Sequence, residues 1–256
     1  QRYFDHRVLF RSFTISSCLN KKISVFRYLL SYNIFFINGT VTLKISTTFF
    51  CFIIAGMISF VALTIDTLLP AYTIIKREFL IVDTQLHWII TALFLGFSLG
   101  QILFGPVSDR IGRKNSVLLG VGIYWIGCLV CLVSDTYLIF VVGRFIQGFG
   151  IGGPRVVSQA ICRDLFNGNK LASINSFIMS IFILVPVVAP LIGQGFLFLF
   201  YWKYIIAFFI LFSLVTTSVL MVNIEETLKE PQKINFVNIL KNFLEVLKNL
   251  NSMIYI

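Results

Sequence analysis

Six stretches of this chain are nearly continuous apolar sequence: Thr48–Ile75, Gln85–Pro106, Ser116–Ser134, Tyr137–Ile161, Ile174–Leu199 and Trp202–Val222. A helix crossing the hydrocarbon core of a bilayer needs about 20 predominantly apolar residues, and each stretch reaches or approaches that length. Lipid offers no water to bond a bare N–H or C=O, so an open chain crosses it only as helix. Barrel strands would read as short alternating segments separated by turns, a pattern absent here. The expected fold is an all-α membrane protein built on a six-helix transmembrane bundle.

The polar residues agree. Only 12% of the chain is charged and 57% is hydrophobic, with a mean hydropathy of +0.90. A water-soluble domain carries about 25% charged residues, so this chain cannot clothe a water-facing surface. Its net charge of +10 would suggest nucleic acid in a soluble protein. Here the Lys and Arg fall in the gaps between apolar runs and on alternate sides, which sets membrane orientation instead. One side collects the N-terminal tail, Arg110, Arg113, Lys114, Arg163, Lys170, Lys229, Lys233, Lys241 and Lys248; the other receives Lys76, Arg77 and Lys203. The positive-inside rule places the first side in the cytoplasm.

Three regions follow from these textures. Residues 1–45 hold seven basic side chains against one acid, Asp5, and read as a basic cytoplasmic tail or a non-native extension ahead of the bundle. A transit peptide shares that bias but is the weaker reading, and the Asn38-Gly39-Thr40 sequon is read as chance. Residues 46–228 form the bundle. Residues 229–256 form a cytoplasmic linker in which Phe236, Leu240, Phe243, Leu247 and Leu250 recur at helical spacing with Lys241, Glu245 and Lys248 on other faces, an amphipathic helix. The closing SMIYI resembles the start of another apolar run, so a C-terminal bundle is expected to be missing from this chain. Cys128 and Cys131 form C-x-x-C inside an apolar run, with no second pair and no neighbouring His. Packing explains them better than metal or redox chemistry. No cofactor or metal is expected, and the absence of G-x-x-x-x-G-K-[ST] sets aside an ATP-driven pump. The chain is not expected to be an enzyme.

Between the second and third runs stands GPVSDRIGRK, Gly105 to Lys114. As a plain turn it needs only charge and a glycine. Its spacing allows more: Asp109 and Arg113 are four apart and meet on a helix, Gly112 gives backbone freedom at the bend, and Gly105 is expected to let the second span approach a neighbour closely. In the fourth run Arg144 lies inside apolar sequence, where a charge costs about 2.5–3.5 kcal/mol on insertion scales and usually faces a partner or a cavity. Gln147 and Gly148 follow at i+3 and i+4, on the same face. Gly148 and Gly152 make a small-xxx-small pair. Arg155, after Pro154, is read as a cavity or interface residue. In the first run Asp66 is the one acid, with Pro70 expected to kink the helix one turn later. If spans one and four are neighbours, Asp66 and Arg144 could pair, and a pair that comes and goes suits a group that loads and unloads a proton. A fixed structural ion pair is the alternative. Pro186, Pro190 and Gly193 are expected to bend or weaken the fifth span. Trp88 and Trp202 are read as interfacial anchors.

Gly105, Asp109, Arg110, Gly112, Arg113 and Lys114 together resemble the signature loop between spans two and three of the major facilitator superfamily. That resemblance implies a conformational latch at the cytoplasmic side, formed by Asp109 and Arg113 with an acid at the inner end of span four, here Asp164. Arg144, Gln147 and Gly148 resemble the superfamily's fourth-span motif, linked there to proton coupling. The fifth span resembles the antiporter signature in part: Ala189-Pro190 stands for Gly-Pro, Val185 for a glycine, and Gly193-Gln194 for Gly-Gly. DTLLPAY, LHWIITALFLGFSLGQILFGPVSDRIGRK, GRFIQGFGIGGPRVVSQAICRDLF and ILVPVVAPLIGQ resemble the Bcr/CflA branch of multidrug exporters. The resemblance covers Phe49 to Leu228. It implies a twelve-span fold of two bundles, each of two inverted three-helix repeats, of which this chain supplies the first. It also implies proton-coupled efflux, drug against H+, of a small amphiphilic or cationic drug. A metabolite symporter of the same fold, and a truncated membrane protein without transport, are the alternatives.

Overall fold

The computed structural model describes residues 45–228, and the tail, the linker helix and the closing apolar run all lie outside the described residues. Within them the chain is helical, without strands. The helices are α1 (Thr47–Ile58), α2 (Phe60–Asp66), α3 (Tyr72–Glu78), α4 (Asp83–Ile111), α5 (Arg113–Val133), α6 (Tyr137–Leu165), α7 (Gly168–Leu199) and α8 (Lys203–Asn223), with a 3-10 turn over Leu69–Ala71.

Helices α4, α5, α7 and α8 are each long and apolar enough to cross a membrane, and the bent run from Thr47 to Glu78 makes a fifth candidate. Helix α6 is as long as α4 but carries Arg144, Gln147, Pro154 and Arg155 among its glycines, so its composition alone marks it less strongly. Its packing explains that composition. Helix α6 has the two most extensive interfaces in the molecule, with α4 and α5. A Cβ on Gly148 would run into the Leu93 carbonyl, one on Gly100 into the Phe149 carbonyl, and one on Gly150 into the Tyr124 amide. Backbones that pass this closely exclude side chains, which is what small-residue faces achieve in membranes. The close approach expected at Gly105 falls elsewhere: a Cβ there would meet only Val156, at an ordinary 3.9 Å, whereas Gly96 and Gly100 lie against the backbone of α6.

Span one is broken rather than gently kinked. The segments Thr47–Ile58 and Phe60–Glu78 meet at 47°, so the bend sits at Ser59 and not at Pro70. The Ser59 hydroxyl donates to the Ala55 carbonyl at 2.6 Å, the back-bonding that bends helices. Pro70 occupies the 3-10 turn, where its missing N–H costs little. Helix α7 continues through Pro186 and Pro190 without interruption. Gly193 lets it press on the first span, since a Cβ there would meet the Thr67 carbonyl.

Trp202 is fully buried against Phe79 and Phe140, and its Nε1 donates to Glu78 at 2.5 Å. It ties the start of α8 to the end of α3 instead of anchoring in a lipid headgroup layer. Trp88 is exposed, as an interfacial residue would be.

Candidate transport site and cytoplasmic latch

Two polar constellations stand out from the apolar packing. At the α4–α5 corner, Gly112 takes φ +96° and ψ 157°, a conformation open in practice to glycine alone. The turn points Arg113 back across the end of α4. Its Nη1 donates to Asp109 Oδ1 at 2.5 Å and to the Ser108 hydroxyl at 2.7 Å, while Nε donates to Asp164 Oδ2 at 2.8 Å. One guanidinium thus joins the inner ends of α4, α5 and α6, with the charge-assisted bonds that its forked geometry allows. Asp109, Arg113 and Asp164 come together as expected. Arg110 stays outside, exposed and without a hydrogen bond or ion pair among the described residues.

Glu226 completes this corner, and the motif reading missed it. It accepts from the backbone N–H of Arg113 at 2.9 Å and of Lys114 at 3.1 Å, capping the exposed donors and positive dipole end of α5. Thr227 adds a bond from its hydroxyl to Asp164 at 3.1 Å, and Lys114 Nζ donates to the Met221 carbonyl at 2.8 Å. The available sequence signal was an acid just past the last span, in IEETL. Nothing local distinguishes it from an ordinary charged linker.

The second constellation is buried. Arg144 is wholly enclosed; its Nη1 donates to Gln147 Oε1 at 2.8 Å and its Nη2 to the Thr64 carbonyl at 3.2 Å. Gln147 Nε2 reaches Cys128 Sγ at 3.1 Å, and Thr64 shares a 2.9 Å hydrogen bond with the Tyr124 hydroxyl. Spans one, three and four are therefore joined by a polar chain inside an apolar bundle. Arg144 Nε has no partner. Gln147 and Gly148 have separate tasks, the first bonding α5 and the second pressed against α4.

The expected pairing of Arg144 with Asp66 is not made. Asp66 is half-buried at the end of α2 and has no ion pair or hydrogen bond among the described residues. Arg144 instead bonds the Thr64 carbonyl, two residues before Asp66 on α2. Tyr72, buried and with a hydroxyl lacking a hydrogen-bond partner, lies within electrostatic reach of both charges. Nothing in the sequence sets Tyr72 and Thr64 apart from ordinary span residues. Cys128 and Cys131 are buried thiols, and the described residues hold no metal-ligating cluster.

A glycine-faced fourth helix, an acid–arginine–acid corner after the second span and a buried arginine bonded to the first are the features of one class of protein. The chain belongs to the major facilitator superfamily, whose model matches residues 23–250. The Haemophilus influenzae "Bicyclomycin resistance protein homolog" is 32% identical over 201 residues, covering 77% of this chain and 50% of that protein. The Escherichia coli "Multidrug resistance protein MdtL" is 32% identical over 121 residues, 47% of this chain and 31% of its own. The "Uncharacterized MFS-type transporter YdgK" of Bacillus subtilis is 30% identical over 182 residues, 70% of this chain and 45% of its own. The chain spans about half the length, or less, of these curated relatives. Among solved structures, the human organic anion transporter MFSD10 (TETRAN) superposes with a TM-score of 0.58 at 18% identity, over 77% of this chain and 53% of that one; this likeness establishes fold. The chain is thus the N-terminal half of a facilitator fold, an integral multi-pass protein of the inner membrane with drug-resistance proteins among its relatives.

Proposed function

We propose that the chain forms the substrate- and proton-handling half of a transporter that exports small amphiphilic molecules in exchange for protons, with a second bundle completing the pathway. The observation that carries this reading is Asp66, a half-buried carboxylate in the broken part of span one that has no partner among the described residues. An unpaired acid inside a membrane span is costly and is typically retained for ion or substrate handling. A proton on Asp66 and a cationic group beside it are mutually exclusive occupants, and that competition is the physical basis of exchange. A proton drives the conformational cycle only by binding the two facing states unequally. Arg144 supplies the inequality in this reading: when Asp66 is neutralised, the enclosed guanidinium loses the negative charge that offsets it near Tyr72. The Asp109–Arg113–Asp164 corner acts as the cytoplasmic latch that holds the outward-facing state.

Inverted membrane vesicles containing the native gene product test this. An imposed pH gradient should drive ethidium uptake into the vesicles, and Asp66→Asn should abolish it while leaving the protein folded by thermal melting. Coupled ethidium movement that survives Asp66→Asn removes Asp66 as the proton carrier. Transport of a metabolite down the proton gradient, with no ethidium movement, favours the symporter instead.

A further inference from the structure

The fourth span, α6, carries a second arginine, half-buried, that neither the latch nor the Arg144 chain uses. Arg155 lies eleven residues after Arg144 on the same helical stripe, about 16 Å further toward the cytoplasmic end. Its Nη1 is buried without a hydrogen-bond partner. Its guanidinium lies over the Phe182 ring of α7, with Cζ 5.3 Å from the centroid. One turn along the stripe Ser158 is fully buried, and its hydroxyl is also unpartnered. Buried polar atoms are ordinarily satisfied, and exceptions call for an explanation. Here two exceptions are neighbours at i and i+3.

The described acids at the cytoplasmic end of the bundle offer none: Asp109 and Asp164 are held by Arg113, and Glu226 caps α5. The aromatic ring fixes one face of the guanidinium but accepts no N–H in the plane of the fork. That leaves a planar array of donors on a half-buried side chain, with one buried hydroxyl a turn away. Positive charge with in-plane donors repels a cation and fits a carboxylate, which accepts two parallel bonds from an arginine.

We propose that Arg155, Ser158 and Phe182 form a carboxylate-binding site, filled either by an anionic or zwitterionic small molecule or by an acidic side chain outside the described residues. The inference rests on the transporter reading above and gives its ligand a negative group. It uses a charge that the Asp66 competition does not.

Benzoate, benzamide and benzamidine are near-isosteric probes of charge −1, 0 and +1. Each is titrated against the native gene product in lipid nanodiscs, with thermal melting as the readout. If a small molecule supplies the carboxylate, benzoate raises the melting temperature more than benzamide or benzamidine. Arg155→Gln then weakens benzoate at least about tenfold, the cost of a lost charged hydrogen bond, Ser158→Ala weakens it less, and benzamide is unaffected. If a side chain supplies it, the three probes act alike, and Arg155→Gln lowers the melting temperature without any ligand while Arg155→Lys restores most of it. Equal probe effects together with an unchanged melting temperature in Arg155→Gln overturn the site. Because melting is read without transport, that failure leaves the Asp66 exchange assay standing, and failure of the exchange assay leaves this one standing.

Discussion

Removing the Glu226 carboxylate should unfasten the first turn of α5. The side chain receives the backbone N–H groups of Arg113 and Lys114, at 2.9 and 3.1 Å, beside that of Leu228 in its own loop at 3.0 Å. Hydrogen bonds to charged groups contribute about 1.5–3 kcal/mol each when well shielded, and a carboxylate at a helix N-terminus adds about 0.3–1 kcal/mol. Glu226 is exposed, so water replaces much of what is lost, and the sum falls to about 2 kcal/mol. A loss of that size multiplies the open population of the two amides roughly 30-fold. Glu226→Gln keeps one acceptor oxygen but not the charge, and should cost about 1 kcal/mol, or roughly fivefold. Hydrogen exchange resolved at Arg113 and Lys114 in nanodiscs reads this directly. The expected order is native slowest, Gln intermediate and Ala fastest, with the middle of α5 unchanged. Equal protection of the two amides in all three proteins would refute the capping argument, since no other described side chain bonds them.

Gly112→Ala should lower the melting temperature by several degrees, because φ +96° costs a side chain about 1–3 kcal/mol and the new Cβ would press on the Glu226 carboxylate; a melting curve identical to the native one would contradict the turn geometry. Gly148→Val should prevent recovery of folded protein in mild detergent, as its Cβ collides with the Leu93 carbonyl, while Gly122→Ala, with open space around it, should melt as the native protein does. Fluorescence-detected size exclusion separates the two, and tolerance of valine at 148 would break the α4–α6 packing described above. Asp66→Asn, with loss of proton-driven ethidium movement, and Arg155→Gln, with loss of benzoate preference, complete the set.

What could be read from the chain alone is what repeats or clusters along one dimension. The lengths of the apolar runs determine helices because lipid leaves the backbone no other partner. The glycines around Arg144 announce close packing, and the spacing of Asp109 and Arg113 fits a single turn; Asp164, the third member of the corner, was legible only through the resemblance of the loop to the superfamily's signature. Whatever depended on a partner far along the chain was not. Arg144 bonds the Thr64 carbonyl and not Asp66, and span one bends by 47° at Ser59, where a serine carries no unmistakable mark of the bend. Trp202 lies in the core because Glu78, 124 residues earlier, arrives to take its N–H. Glu226 is a cap only because the sixth span returns the chain to the start of the third. Charge placed in an apolar run told that a partner is needed; only the assembled helices decided which one, since that choice is made by distances of about 3 Å between residues the sequence holds far apart.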